Sequence, residues 1–269
     1  MKKRKKSFRR YFYPLIILVL IPAVIFSAVK CSQDNKGKSP VSFERKDNTV
    51  DSEDIIGAFA REHGLKTEDY PPELIELLDK NPETKDFVLN YPLEKDKKTK
   101  TDLTKYENCG EVPLLLQWDR RWGYAEYAGE LMGISGCGPT CLSMVSIYIL
   151  NDGTYSPTYI ARFAEKNGYA SKGNGSSWSL ISEGGKKLGL KVSEIPLDKN
   201  RIIKNLEAGN PVICVMGPGD FTSTGHFIVM TRYTDGKIRI NDPNSITRSE
   251  MLWDYDDIKD QIRNLWVCG

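Results

Sequence analysis

The order in which helical and strand patterns follow one another restricts the fold of this chain more than any other feature. Residues 137–207 carry helical patterns, the longest over residues 137–150. From residue 211 the pattern changes to short apolar strands, two of which are joined by an Asp235-Gly236 turn. Helices followed by antiparallel strands favour an α+β fold, in which a helical half packs against a sheet half.

Other elements are expected in the same domain, which spans residues 105–269. The segment EVPLLLQW, residues 111–118, is a plausible first strand. Residues 250–263 are expected to form a last helix, after which LWVC returns as a final strand.

The N-terminal segment has the pattern of a membrane anchor. Residues 1–10 carry seven cations and no acid, and residues 11–29 carry no charge. At ~1.5 Å per residue this run reaches ~28 Å, close to the thickness of the hydrocarbon core. Because basic residues before a span stay in the cytoplasm, we expect a single-pass cell-membrane protein whose remaining residues are extracytoplasmic. A cleaved signal peptide and a lipoprotein anchor at Cys31 are the alternatives.

Two segments lie between this anchor and the main domain. Residues 30–52 are polar and irregular, which is typical of a flexible stalk. Residues 53–104 predict three short helices with apolar faces and a linker, here called the helical appendage. His63 falls at a helix end there, where an exposed histidine is expected.

Charge and composition exclude several classes of function. The net charge is +2, so removing the seven N-terminal cations leaves −5 for the rest of the chain. The remaining Lys and Arg are interleaved with acids, which argues against a nucleic-acid partner. No CxxC pair occurs, and the one histidine of the main domain is isolated from the cysteines in sequence, so neither a metal nor a cofactor is expected.

Six cysteines leave several disulfides open, since the chain is expected outside the cytosol. Cys109 could pair with Cys268, and Cys141 with Cys214. A Cys137–Cys141 bridge would hold the thiol of Cys137 oxidised, although their i,i+4 spacing makes it strained. Spacing alone does not decide between these pairings.

Cys137, in GCGPTC, is the candidate nucleophile. Gly136 and Gly138 allow a tight entry turn, and Pro139 suits the first turn of a helix. Unpaired amides and the positive dipole end at a helix N-terminus favour a thiolate. The alternative is a buried structural cysteine.

His226, in GHFIVM, is the candidate base that would pair with the Cys137 thiolate and later give a proton to a leaving amine. Asp242 follows the next strand, and the hairpin should bring it near His226, where a carboxylate can orient the imidazole. Asn241 is the fallback for this role, and a plain turn residue is the alternative for Asp242.

Gln117 completes the candidate catalytic set. Its side-chain amide, with the backbone N–H of Cys137, would form an oxyanion hole worth ~3–4 kcal/mol per donor. Trp178, Asp220 and Phe221 are weaker candidates for lining a substrate cleft, since aromatic residues more often belong to a core.

The motifs EVPLLLQWDRRWGY, GISGCGPTCLSM, GHFIVM and INDPNS resemble those of cysteine peptidase family thirty-nine, which includes the double-glycine leader peptidase domains of peptide-exporting transporters. The resemblance covers about residues 105–269 and is nearest to a stand-alone, membrane-anchored bacterial branch. It implies a papain-like fold with Gln117, Cys137, His226 and Asp242 in the family's catalytic roles. The GxxxxGK[ST] motif of the transporters' ATPase domain does not occur, so double-glycine specificity is left open.

The function predicted from these observations is a membrane-anchored extracytoplasmic cysteine peptidase whose partner is a peptide or protein substrate. An acyl transferase or transpeptidase using the same residues is one alternative, since only the group that resolves the acyl-enzyme differs. A non-catalytic peptide or cell-wall binding module is the other.

Overall fold

The structure, a computed structural model, describes residues 51–97 and 99–269, which lie within one compact unit, Asn48–Gly269. The anchor predicted at residues 11–29, its basic flank and Cys31 lie outside the described residues, as does the stalk apart from its last two positions. None of the helices that the structure describes combines the length and the apolar character that crossing a membrane requires.

Helices occupy the first part of the described chain and recur between the strands. The α-helices are α1 (Ser52–His63), α2 (Pro72–Lys80), α3 (Lys85–Glu94), α4 (Met132–Ser135), α5 (Cys137–Leu150), α6 (Pro157–Lys166), α7 (Gly185–Lys187), α8 (Lys199–Glu207), α9 (Ile246–Glu250) and α10 (Tyr255–Ile258). A π-helical turn at Leu180–Gly184 precedes α7. Short 3₁₀ turns lie at Thr67–Asp69, Pro82–Thr84, Thr104–Tyr106 and Lys259–Gln261.

Strands form one large antiparallel sheet and two small ribbons. The strands are β1 (Glu126–Tyr127), β2 (Glu130–Leu131), β3 (Ala170–Ser171), β4 (Gly175–Ser176), β5 (Val192–Glu194), β6 (Val212–Met216), β7 (His226–Thr234), β8 (Lys237–Asn241), β9 (Leu252–Trp253) and β10 (Ile262–Cys268). The large sheet has the order β5-β10-β6-β7-β8-β9, while β1-β2 and β3-β4 form the ribbons. The α+β arrangement predicted from the sequence is confirmed.

Both faces of the sheet centre are covered. Ile213, Val215 and Val229 belong to a core shared with α5 and α6. Cys214 and Ile228, at alternating positions, belong to a second core that includes residues of α8 and α10. Because successive side chains of a strand point to opposite faces, the uninterrupted apolar run of β6 is what burial on both faces requires.

Two predicted elements of the main domain are wrong. Residues 111–118 form no strand, since the segment crosses Pro113 and packs on the helices through Leu115, with Gln117 N–H donating to Pro243 O at 2.7 Å. The expected helix over residues 250–263 is divided among α9, β9, α10, a 3₁₀ turn and β10. Pairing of its ends with β8 and β6 overrides the local helical pattern.

The helical appendage contains the three helices expected there. Asp51 accepts the capping hydrogen bond of α1, and Gly64 ends this helix in the left-handed conformation at φ 69°. The ring of Phe87 in α3 is fully buried and stacks on Tyr124 with ring centroids 4.6 Å apart. A Cβ at Gly123 or Gly133 would clash with that ring, so α3 packs directly against the segment before Cys137.

We predict that Phe87→Ala lowers the free energy of unfolding by about 3–5 kcal/mol, because it leaves a cavity between α3 and the main domain. Phe59→Ala is the matched control, since Phe59 is only partly buried and stacks on the exposed His63. Urea unfolding followed by circular dichroism measures both. Equal losses for the two variants would contradict a packed contact at Phe87.

Candidate active site

Cys137 is the first residue of α5, and its side chain is half-buried. The neighbouring glycines serve close approach and not a left-handed turn, since Gly136 has φ −85°. A Cβ at Gly138 would overlap the side chain of Ser176 in β4. The glycine therefore lets the β3-β4 ribbon lie directly against the start of the helix that carries the thiol.

The environment of the Cys137 thiol favours the thiolate. Burial alone would raise the pKa of this thiol. His226 lowers the pKa through hydrogen bonding and charge, and the backbone N–H groups of Phe227 and Gly138 lower it further. Together these interactions outweigh burial, so the pKa of the thiol lies below its ordinary value. The Gly138 amide belongs to the first turn of α5, as expected for a thiol at a helix N-terminus.

His226 begins β7, and its imidazole lies between the thiol and a carboxylate. Nε2 is 2.7 Å from Oδ1 of Asp242, and the ring is close enough to the Cys137 thiol for each group to shift the pKa of the other. Burial would lower the pKa of His226, but the charge and hydrogen bond of Asp242 and the interaction with the Cys137 thiol raise it above its usual value. The three side chains that the sequence singled out are thus brought together, and their pKa shifts favour a thiolate beside an imidazolium.

The Asp242 carboxylate is fully buried, and both of its oxygens accept hydrogen bonds. Oδ1 also accepts the backbone N–H of Asn244 at 2.7 Å, and Oδ2 accepts Nε of Arg248 at 2.6 Å. Burial would raise the pKa of Asp242, but His226 and Arg248 lower it. The backbone N–H of Asp242 donates to Oγ of Ser249 at 2.9 Å. Sequence reasoning missed Arg248 and Ser249, although their position within two helical turns of Asp242 was a usable signal.

Asn241, the fallback for orienting the imidazole, has another role. Its Nδ2 donates to Val112 O at 3.0 Å, so the side chain holds the segment that precedes Gln117. The carboxylate of Asp242, and not this amide, contacts His226.

Gln117 lies beside the turn that leads into Cys137. Its Nε2 is 2.9 Å from Gly133 O and 3.0 Å from Ile134 O, and the residue is 3% exposed. Oε1 has no hydrogen-bond partner among the residues that the structure describes. The donor nitrogen is therefore engaged by the backbone of α4, while the role of Gln117 as an oxyanion donor stays a prediction.

The three predicted cleft residues have different environments. Trp178 is 47% exposed and lies two residues after β4. Its ring packs edge-to-face with that of Trp266, with ring centroids 6.1 Å apart. Asp220 is exposed and exchanges hydrogen bonds with the side chain of Gln261. Phe221 is buried in the second core at 4.6 Å from Trp253, which differs from the predicted place in an open cleft.

The cysteines of residues 51–97 and 99–269 are all free thiols, so the pairings considered for Cys109, Cys141, Cys214, Cys268 and Cys137 do not form. Burial raises the pKa values of the Cys141, Cys214 and Cys268 thiols. Within this part of the chain, Cys137 is the thiol whose pKa is lowered. The same residues contain no cluster of three or more His, Cys, Asp or Glu side chains suited to a metal ion.

We predict that Asp242→Asn lowers the midpoint at which His226 titrates, because the neutral amide no longer favours the imidazolium. The chain has two histidines, so NMR of the imidazole C–H signals resolves each of them. Exposed His63, whose Nδ1 lies 2.9 Å from Phe59 O, is the internal control, and its signals should be the same in both proteins. An unchanged midpoint for His226 in a folded variant would contradict the coupling to Asp242.

The main domain matches a known protein family and is similar to solved structures. The model of the Peptidase_C39 like family matches residues 110–267. Similar solved structures include the peptidase domain of Streptococcus ComA, a bi-functional ABC transporter involved in a quorum sensing pathway (19% identity, 49% of this chain and 89% of that one, TM-score 0.40). A putative C39-like peptidase from Bacillus anthracis is another (16% identity, 61% and 96%, TM-score 0.40). No curated protein gives a significant match. With more than half of its length matched by one family model, the chain belongs to the Peptidase_C39 like family.

Proposed function

We propose that this protein is a cysteine peptidase in which Cys137 is the nucleophile, His226 the general base and acid, and Asp242 the group that orients the imidazole. The observation that carries the proposal is the imidazole of His226, whose Nε2 lies 2.7 Å from a buried carboxylate and whose interaction with the Cys137 thiol lowers the pKa of that thiol. Family membership supports the reaction class.

The reaction would proceed through an acyl-enzyme. The sulfur electron pair of the Cys137 thiolate attacks the peptide carbonyl carbon, and the carbonyl oxygen takes the negative charge. When the carbon–nitrogen bond breaks, the imidazolium of His226 gives its proton to the leaving amine, and a thioester remains on Cys137. His226 then removes a proton from water, whose oxygen attacks the thioester carbon; the carbon–sulfur bond breaks, the acid is released, and the Cys137 thiolate and the His226 imidazolium are restored. Asp242 stays ionised throughout and fixes the tautomer of the ring.

Two further residues are proposed to act on the substrate. Gln117, beside the start of α5, would donate a hydrogen bond to the oxyanion together with the backbone N–H of Cys137, once Nε2 is turned from the carbonyls of Gly133 and Ile134. Exposed Trp178, next to the ribbon that contacts Gly138, would contact the peptide near the thiol.

We predict that iodoacetamide at about pH 6 labels Cys137 faster than exposed Cys109, because an ordinary thiol of pKa ~8.5 is almost wholly protonated there. A lowered pKa means that the thiolate persists as the pH falls. His226→Ala should remove the advantage of Cys137, since it removes the largest favourable contact of the thiolate. Mass spectrometry of the full-length chain locates the label, with Cys137→Ala as the blank.

Labelling of Cys137 no faster than that of Cys109 would contradict the proposal and favour a non-catalytic binding module. If the label goes to Cys137, a peptide library with added amine acceptors identifies the group that resolves the acyl-enzyme. Free carboxyl products that Cys137→Ala does not form support hydrolysis. Products joined to the added amine would instead indicate an acyl transferase.

The uncharged run at residues 11–29 supports a second proposal, that the protein is held in the cell membrane with residues 105–269 extracytoplasmic. We predict that the full-length chain stays with the membrane pellet after alkaline carbonate extraction. A chain lacking residues 1–29 is the matched control and should move to the supernatant. Release of the full-length chain by carbonate would contradict an integral anchor.

A further inference from the structure

Glu83, in the 3₁₀ turn between α2 and α3, contacts the segment that follows Asp242. Its Oε1 accepts the hydroxyl of Ser245 at 2.6 Å, and Oε2 accepts the backbone N–H of Ile246 at 2.6 Å. The N–H of Thr247 lies 3.4 Å from Oε1. The helical appendage therefore places a carboxylate at the first turn of α9, although 162 residues separate Glu83 from Ser245.

This contact satisfies donors that α9 cannot satisfy itself. The helix has five residues, and the first N–H groups of any helix have no partner within it. Its own cap is Ser245, whose Oγ accepts the N–H of Arg248 at 3.1 Å. Glu83 fixes that hydroxyl and adds a negative charge at the positive end of the helix dipole. Such a short helix is marginal alone, so the appendage stabilises it.

From α9 the contacts lead directly to Asp242. Nε of Arg248 donates to Oδ2 of Asp242 at 2.6 Å. The Oγ of Ser249 accepts the N–H of Asp242 at 2.9 Å and donates to Ser245 O at 2.7 Å. One edge of the carboxylate and its backbone are thus fixed by the helix that Glu83 caps.

The other edge of the carboxylate is held through a second contact of the appendage. Nδ2 of Asn81 donates to Asn244 O at 2.6 Å, and Nε1 of Trp118 donates to the same oxygen at 3.3 Å. Asn244 in turn donates its N–H to Oδ1 of Asp242, the oxygen that contacts His226. Oδ1 of Asp242 is therefore linked to Asn81 through Asn244, and Oδ2 is linked to Glu83 through α9.

We propose that Glu83 is a positioning residue of the active site, through which the helical appendage orients the Asp242 carboxylate toward His226. This inference rests on the proposed function. It assigns the appendage a role in the active site, because the turn between α2 and α3 supports the Asp242 carboxylate, which in turn orients the imidazole of His226. The charged groups that face Asp242 in the structure are His226 and Arg248.

A merely structural contact would also cost stability when removed, so the test needs a readout specific to the site. The rate of Cys137 alkylation by iodoacetamide as a function of pH is such a readout, because its low-pH limb follows the thiolate–imidazolium pair and its high-pH plateau follows access to the thiol. The variants are Glu83→Ala, Glu83→Gln and, as matched control, Glu76→Ala, which removes an exposed carboxylate of α2 that pairs with Lys80 at 2.5 Å.

In the full-length chain we expect Glu83→Ala to move the midpoint of the pH–rate curve of Cys137 upward by about one pH unit, which corresponds to an about tenfold lower alkylation rate on the low-pH limb. At about pH 9.5 any thiol of ordinary pKa is largely ionised, so the alkylation rate of Glu83→Ala should stay within about twofold of the wild-type rate there. Glu83→Gln keeps one acceptor oxygen, so its pH–rate curve should lie between those of the wild type and Glu83→Ala. Glu76→Ala should follow the wild-type curve throughout.

A folded Glu83→Ala protein with the wild-type curve overturns the proposal, as does an equal loss of rate at every pH, which would indicate a structural contact alone. If thermal melting shows that Glu83→Ala does not fold, Glu83→Gln and Asn81→Ala decide the question by the same two rates. Wild-type Cys137 that reacts at about pH 6 no faster than Cys109 removes the proposed function, and the positioning role with it.

Discussion

A single buried charge organises the candidate site. The Asp242 side chain has no exposed surface, and an unpaired carboxylate in such a place would cost several kcal/mol. Its oxygens are satisfied by an imidazole, a guanidinium and a backbone amide, which come from β7, α9 and the turn between β8 and α9. The requirement to pair this charge therefore fixes the relative positions of three elements, and the orientation of His226 follows from it.

The sheet supplies the rigidity that this arrangement needs. His226 is the first residue of β7 and Asp242 follows the last residue of β8, so the hairpin register sets their separation. Asp235 and Gly236, at φ 52° and 78°, form the turn, and a one-residue shift between Met230 and Arg232 completes the register. Cores on both faces of β6 and β7 hold the strands in place, and α5 packs on one of those faces and carries Cys137 to the imidazole.

The sequence predicted the parts of the fold and site that depend on local pattern. The helix at Cys137–Leu150, the hairpin and the grouping of Cys137, His226 and Asp242 follow from apolar periodicity, turn residues and the scarcity of histidine. Residues 111–118 and 250–263 were not predictable in the same way, because pairing and packing with distant segments decide their conformation. The contacts of Glu83 and Asn81 had no local signal at all, since their partners are more than 160 residues away.

The position of β10 has a consequence for how the protein is made. This strand lies inside the sheet, between β5 and β6, although β5 precedes it by about 70 residues. As a chain emerges from the ribosome, Cys137 and its helix appear long before the imidazole, the carboxylate and the strand that closes the sheet. Long-range closure of this kind is slow and late. A chain that has not yet reached His226 lacks the imidazole that lowers the pKa of the Cys137 thiol, so the reactivity of Cys137 waits for the strands that carry the imidazole and its carboxylate.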